Sequence, residues 1–124
     1  MAIHFNHTIV SARDSKASAT FLVDLLGLPS PTKWGPFQVV TTENGVNIDF
    51  MDTGEEIAPQ HYAFLVTEAE FDEIFARIHK RSLSYWADPA QRQSGEINHH
   101  DGGRGVYVED PDGHCAQRPS WRWV

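Results

Sequence analysis

The chain has 124 residues, 40% of them apolar and 22% charged, which suffices for one globular domain with a true core and leaves no low-complexity stretch. Its formal net charge is −7 without any cluster of Lys or Arg, which argues against a nucleic-acid or anionic-membrane surface and permits a neutral or cationic ligand. One cysteine, Cys115, excludes an internal disulfide; no run approaches the roughly 18 apolar residues of a membrane span, and the opening Met-Ala-Ile-His-Phe-Asn-His lacks the apolar core of a signal peptide, so a cytoplasmic protein is expected.

In chain order, residues 4–12 read as a strand, with Phe5, His7 and Ile9 on one face because strand side chains alternate. Asp14 is a suitable N-cap for a helix in which Ala17, Phe21 and Leu25 recur, and Gly27 is placed to end it, with Pro29 and Pro31 barring continuation. Residues 37–42 and 46–51 read as a hairpin turning at Glu43-Asn44-Gly45, with room for a short strand before it. Residues 52–59 are polar and contain Gly54 and Pro59, which marks a linker. A second strand-helix pair follows. Residues 61–66 read as the strand, Thr67 and Glu70 as a capping box, and Phe71, Ile74, Phe75 and Ile78 as the helical stripe. Further strands are expected at 83–87, 105–109 and 114–119. The long polar loop 89–104 precedes the second of these, and the Asp110-Pro111-Asp112-Gly113 turn the third.

The chain therefore repeats itself. His7 opens His-Thr-Ile-Val-Ser-Ala; His61, 54 residues later, opens His-Tyr-Ala-Phe-Leu-Val, and the same offset carries Phe21 onto Phe75. Two imidazoles at equivalent repeat positions are a pattern that suits a divalent metal.

His7-x-x-Val10, Asp14, Phe21 and Leu26-Gly27-Leu28 resemble the vicinal oxygen chelate superfamily, and so does His61-Tyr62-Ala63-Phe64. The resemblance continues through the run from Asn98 to Tyr107 and the closing Val108-Glu109-Asp110-Pro111-Asp112-Gly113-His114. That superfamily includes glyoxalase I, extradiol dioxygenases, fosfomycin-resistance transferases and bleomycin-resistance proteins. The resemblance implies an α+β fold of two βαβββ modules, about 3–53 and about 60–120, forming an eight-stranded cup around a divalent metal (Fe, Mn, Ni, Co or Zn). It also implies metal ligands at His7, His61 and a last-strand Glu, and a homodimer. Gln117 stands where that Glu is expected, so the set offers an amide oxygen in place of a charge, and its intrinsic metal affinity should be lower. Asp49 is another carboxylate that could face the cup, although a one-residue change of register would turn it to the other side.

Candidate catalytic residues follow from position. His100, beside His99 on the long loop, is a candidate acid, base or substrate contact. Arg104 is a candidate clamp for an anionic ligand group, with a surface ion pair as the alternative. Tyr107 is a candidate hydrogen-bond donor, and Glu109, on its face, a substitute carboxylate. Cys115 and His114 read as structural, and the four tryptophans as core, interface or aromatic-pocket residues.

The expected function is a metal-dependent enzyme that chelates two adjacent oxygens of a small oxygenated substrate and uses the cation as a Lewis acid. Lyase or isomerase chemistry is favoured over oxygen activation, because Gln117 breaks the 2-His-1-carboxylate pattern. The alternative is a non-catalytic protein that binds a cationic aromatic molecule, similar to bleomycin-resistance proteins. A regulatory or dimerisation module is the third possibility.

Overall fold

In the computed structural model, residues 3–117 are described. The chain divides into two compact units, Met1–Ala58 and Pro59–Val124. Among the described residues no helix is long and apolar enough to cross a membrane.

The first unit runs β1 (His7–Ala12), α1 (Ser15–Leu26), β2 (Thr32–Trp34), β3 (Phe37–Thr41) and β4 (Asn47–Asp52). Its four strands lie in the order β1-β4-β3-β2, with β1 parallel to β4 and the other pairs antiparallel. The parallel pair needs a crossover, and α1 begins it. The Asp14 carboxylate accepts from the Ala17 N–H at 3.1 Å and starts the helix. Gly27, at φ 73°, ends it: the Gly27 and Leu28 N–H groups both donate to the Val23 carbonyl. The Ser15 N–H donates to Asp52 Oδ1 at 2.6 Å, which ties the helix start to the end of β4.

One face of this sheet carries Val10, Ala12, Val40, Ile48 and Phe50, all buried, and α1 buries Ser18, Ala19, Leu22, Val23 and Leu25. The helix stripe is thus rotated from the expected one: Ala17 is exposed and Phe21 only half-buried. Small Ser18 and Ala19 let the helix lie close, while Leu22 and Leu25 fill the space. The other face has no helix of this unit. Register puts His7, Ile9, Thr41, Val39, Phe37, Asn47, Asp49 and Met51 there. Ile9 is 46% exposed and Phe5, just before the strand, 66%.

The second unit runs β5 (His61–Ala63), α2 (Glu68–Lys80), a 3-10 turn (His100–Gly102), β6 (Tyr107–Glu109) and β7 (Cys115–Gln117). Its strands lie in the order β5-β7-β6, with β5 parallel to β7 and β6 antiparallel to it. α2 opens with the capping box: Thr67 Oγ1 accepts from the Glu70 N–H, and the Glu70 carboxylate accepts from the Thr67 N–H at 2.9 Å. That backbone donor holds the Glu70 carboxyl below the usual carboxylate range. Phe71, Ile74 and Ile78 are buried and Phe75 stacks edge-on against His79 and Tyr85.

The strand expected at 83–87 does not form as a continuous ladder. Trp86 makes single bridges to both Ser94 and Tyr107. The Asp88 carboxylate accepts from the Arg92 and Gln93 N–H groups, and Gln91 sits at φ 60°, so the chain doubles back at once. Two partners share the pairing groups of one residue, and seven strands are found among the described residues. The expected extension of β7 to residue 119, and Trp121 and Trp123, lie outside the described residues.

The Asp110–His114 turn closes on itself. Asp110 Oδ1 accepts from the Asp112 and His114 N–H groups at 2.9 and 2.8 Å, and the Asp110 N–H donates to the His114 carbonyl. His114 is fully buried, and its Nδ1 accepts from the Gln60 N–H at 2.8 Å, which fastens the start of β5 to the turn before β7. Burial pushes the Asp110 carboxyl above its ordinary range, against the pull of His114 and of the Asp112 N–H.

Candidate metal centre

His7 is the first residue of β1 and is exposed, on the sheet face opposite α1. Its Nδ1 lies 2.7 Å from Asn6 Oδ1. An amide oxygen only accepts, so this contact suits the tautomer with the proton on Nδ1, which leaves the Nε2 lone pair available. Metal-ligating histidines are commonly oriented by an outer hydrogen bond of this kind. The sequence reading missed Asn6: it carries no spacing signal, and its role follows only from contact.

Asp49 lies two residues beyond Asn47, the β4 partner of His7, and therefore on His7's face. The register left open in the sequence is settled by the pairs Ile9–Asp49–Val39, which flank the carboxylate with apolar side chains. Asp49 is only 7% exposed, and its Oδ1 is buried with no hydrogen-bond partner among the described residues.

In the second unit His61, first residue of β5, is also exposed. Register places His61, Ala63, Tyr107 and Glu109 on one face. The His61 and Tyr107 rings stack at 5.8 Å with 29° between planes, and Tyr107 is 8% exposed. The Gln117 position pairs with Ala63 and Tyr107, two residues beyond Cys115, the partner of His61. Glu109 is engaged by the Gln91 amide, a contact invisible in sequence.

The remaining candidates lie elsewhere in the second unit. His100 is exposed at the start of the 3-10 turn. Arg104 holds carboxylates of the protein's own: Nη2 is 2.6 Å from Glu68 Oε2 and 2.8 Å from Asp72 Oδ1, and its Cζ sits 4.4 Å over the Phe71 ring. Burial pulls the guanidinium pKa down, but Asp72 and Glu68 outweigh it and raise it above its ordinary value. Arg104 thereby staples the loop before β6 to the first turns of α2. Nearby, a Cβ on Gly105 would come within 2.8 Å of the Asn98 amide, so a larger residue there would push that side chain away from the Ala87 carbonyl it donates to.

Among the described residues no group of three or more His, Cys, Asp or Glu side chains could hold a metal. The features that do suit a cation are separate: an exposed imidazole with its Nε2 lone pair kept by Asn6, an exposed imidazole against Tyr107, and an orphaned carboxylate oxygen.

Two α/β units that each start on a strand histidine define a small α+β protein of the glyoxalase fold. The sequence profile of the Glyoxalase/Bleomycin resistance protein/Dioxygenase superfamily matches residues 4–117, and the chain belongs to that superfamily. Its members typically use a divalent metal and bind small molecules. Among solved structures it is similar to oxidase ChaP-H1, with 55% identity and a TM-score of 0.96 over 98% of both chains. It is likewise similar to oxidase ChaP-H2, with 54% identity and a TM-score of 0.96 over 99% of this chain and 97% of that one. A curated relative, the glutathione transferase FosA of Serratia marcescens, is 28% identical over 115 residues, covering 88% of this chain and 74% of that protein.

Proposed function

We propose that the chain is a metal-dependent oxidase of this superfamily, acting on a small organic molecule that presents two neighbouring oxygens. The observation that carries the reaction type is the 55% identity, over 98% of the chain, to a protein named as an oxidase. It outweighs the preference for lyase or isomerase chemistry drawn from Gln117 alone. The donors in this reading are His7, His61 and Gln117. Bound there, a divalent ion would act as Lewis acid and redox centre for chelated oxygens. The chain's own contributions are then these. Asn6 keeps the His7 Nε2 lone pair available. Tyr107, against the His61 ring, orients that ring and offers a phenol to the substrate. His100, exposed on its turn, is a proton-transfer group at the substrate, and Arg104 keeps that loop in place. The active form in this reading is a homodimer.

Oxygen consumption tests the proposal. Protein purified without a His tag is loaded anaerobically with Fe²⁺ and offered catechols and hydroxyquinones in an oxygen electrode. Substrate-dependent oxygen uptake that falls at least about 100-fold in His61→Ala is expected. No uptake with any of them, together with thermal stabilisation by cationic aromatic compounds alone, would favour the binding-protein alternative.

A further inference from the structure

His61 stands at a weakly held place. It is the first residue of β5, which is three residues long, lies at one end of the order β5-β7-β6 and follows directly on exposed residues 58–60. A three-residue parallel pair offers few ladder hydrogen bonds, so the ladder by itself sets the start of β5 poorly. The Tyr107 ring stacks on the imidazole but does not fix the backbone that carries it.

A second histidine fixes that backbone. The Gln60 N–H, one residue before His61, donates to His114 Nδ1 at 2.8 Å, although the two residues are 54 positions apart. His114 is fully buried, and Asp110 holds its backbone from both sides: Oδ1 accepts from the His114 N–H at 2.8 Å, and the Asp110 N–H donates to the His114 carbonyl at 2.9 Å. The ring is therefore presented from a closed turn. A backbone N–H only donates, so the contact suits the tautomer with the proton on Nε2 and the Nδ1 lone pair turned to Gln60. A buried imidazole is costlier to place than an aliphatic side chain of like size, because its polar atoms must be paired. We propose that His114 is a positioning residue: its Nδ1 holds the Gln60 backbone so that the His61 imidazole stands where a divalent ion can take it.

This rests on the metal reading of His61 above, and the experiment separates the two. Tag-free full-length parent, His114→Asn, His114→Phe and His61→Ala are titrated with Co²⁺ by calorimetry and visible absorption, after apo melting curves. Asn places its Oδ1 as many bonds from Cα as Nδ1, so it keeps the acceptor while leaving a cavity; Phe fills the volume and has no acceptor. The expected result is that His114→Asn melts below the parent yet binds Co²⁺ within about threefold of it, with the same absorption bands. His114→Phe should bind at least about tenfold more weakly, with altered bands. Parent-like binding and bands in a folded His114→Phe would keep the metal reading and overturn the role of His114. Losses in both variants that simply follow their melting temperatures would overturn it too. If His114→Phe does not fold, His114→Asn decides: binding at least about tenfold weaker than the parent overturns the proposal, and binding within about threefold supports it. Parent-like binding in His61→Ala, or no Co²⁺ binding by the parent, would remove the metal reading and the proposal with it.

Discussion

At the scale of single residues, the chain uses charged groups in two ways. Some are fully engaged by the protein. Arg104 meets Glu68 and Asp72 and covers Phe71, so Arg104→Ala should cost about 1 kcal/mol. Amide exchange at residues 98–105 should rise with it, and hydrogen-exchange mass spectrometry reads both effects. Asp110 is engaged on one oxygen only, and its Oδ2 is buried without a partner among the described residues. Burial raises its pKa, so the fold favours the protonated carboxyl. A raised pKa contributes stability that is full below the unfolded value and lost as pH rises through the folded one. Asp110→Asn keeps an acceptor for the turn and removes that dependence. The variant should therefore gain melting temperature relative to the parent as the pH rises from about 4 upward. A constant difference across that range would contradict the assignment.

At the scale of elements, helix ends were legible because their chemistry is local. Asp14, Gly27, Thr67 and Glu70 act where their residue types suggest. Thr67→Ala should lower stability by about 1 kcal/mol, through the loss of the Glu70 N–H partner. Gly27→Ala should cost about as much, because φ is 73° there; chemical denaturation measures both. Strands were less legible. β1, β3 and β4 follow the alternation and the Asn44-Gly45 turn, whereas residues 83–87 carry strand-like composition and form only bridges at Trp86. The reason is the Asp88 carboxylate, which turns the chain back onto residues 92 and 93, a contact that composition does not encode. The stripe of α1 was misjudged for a related reason. Ser18 is polar yet buried, since small size mattered more than polarity at that contact.

At the scale of the whole molecule, superfamily membership was written in motifs spread along the chain, and the profile match over residues 4–117 agrees with it. The pair of strand histidines was visible as a repeat of 54 residues. What surrounds them was not. Asn6 beside His7, Tyr107 against His61 and the face of Asp49 depend on contact and register, and a strand's period of two makes any single-residue uncertainty decisive. The central claim is that the chain binds one divalent ion through both histidines. Metal content after Co²⁺ loading and desalting, measured by mass spectrometry on the tag-free parent, His7→Ala and His61→Ala, tests it most directly. About one equivalent per chain in the parent, and less than about a tenth in each variant, is the predicted result. Retention of a full equivalent by either variant, with its fold intact, would contradict it.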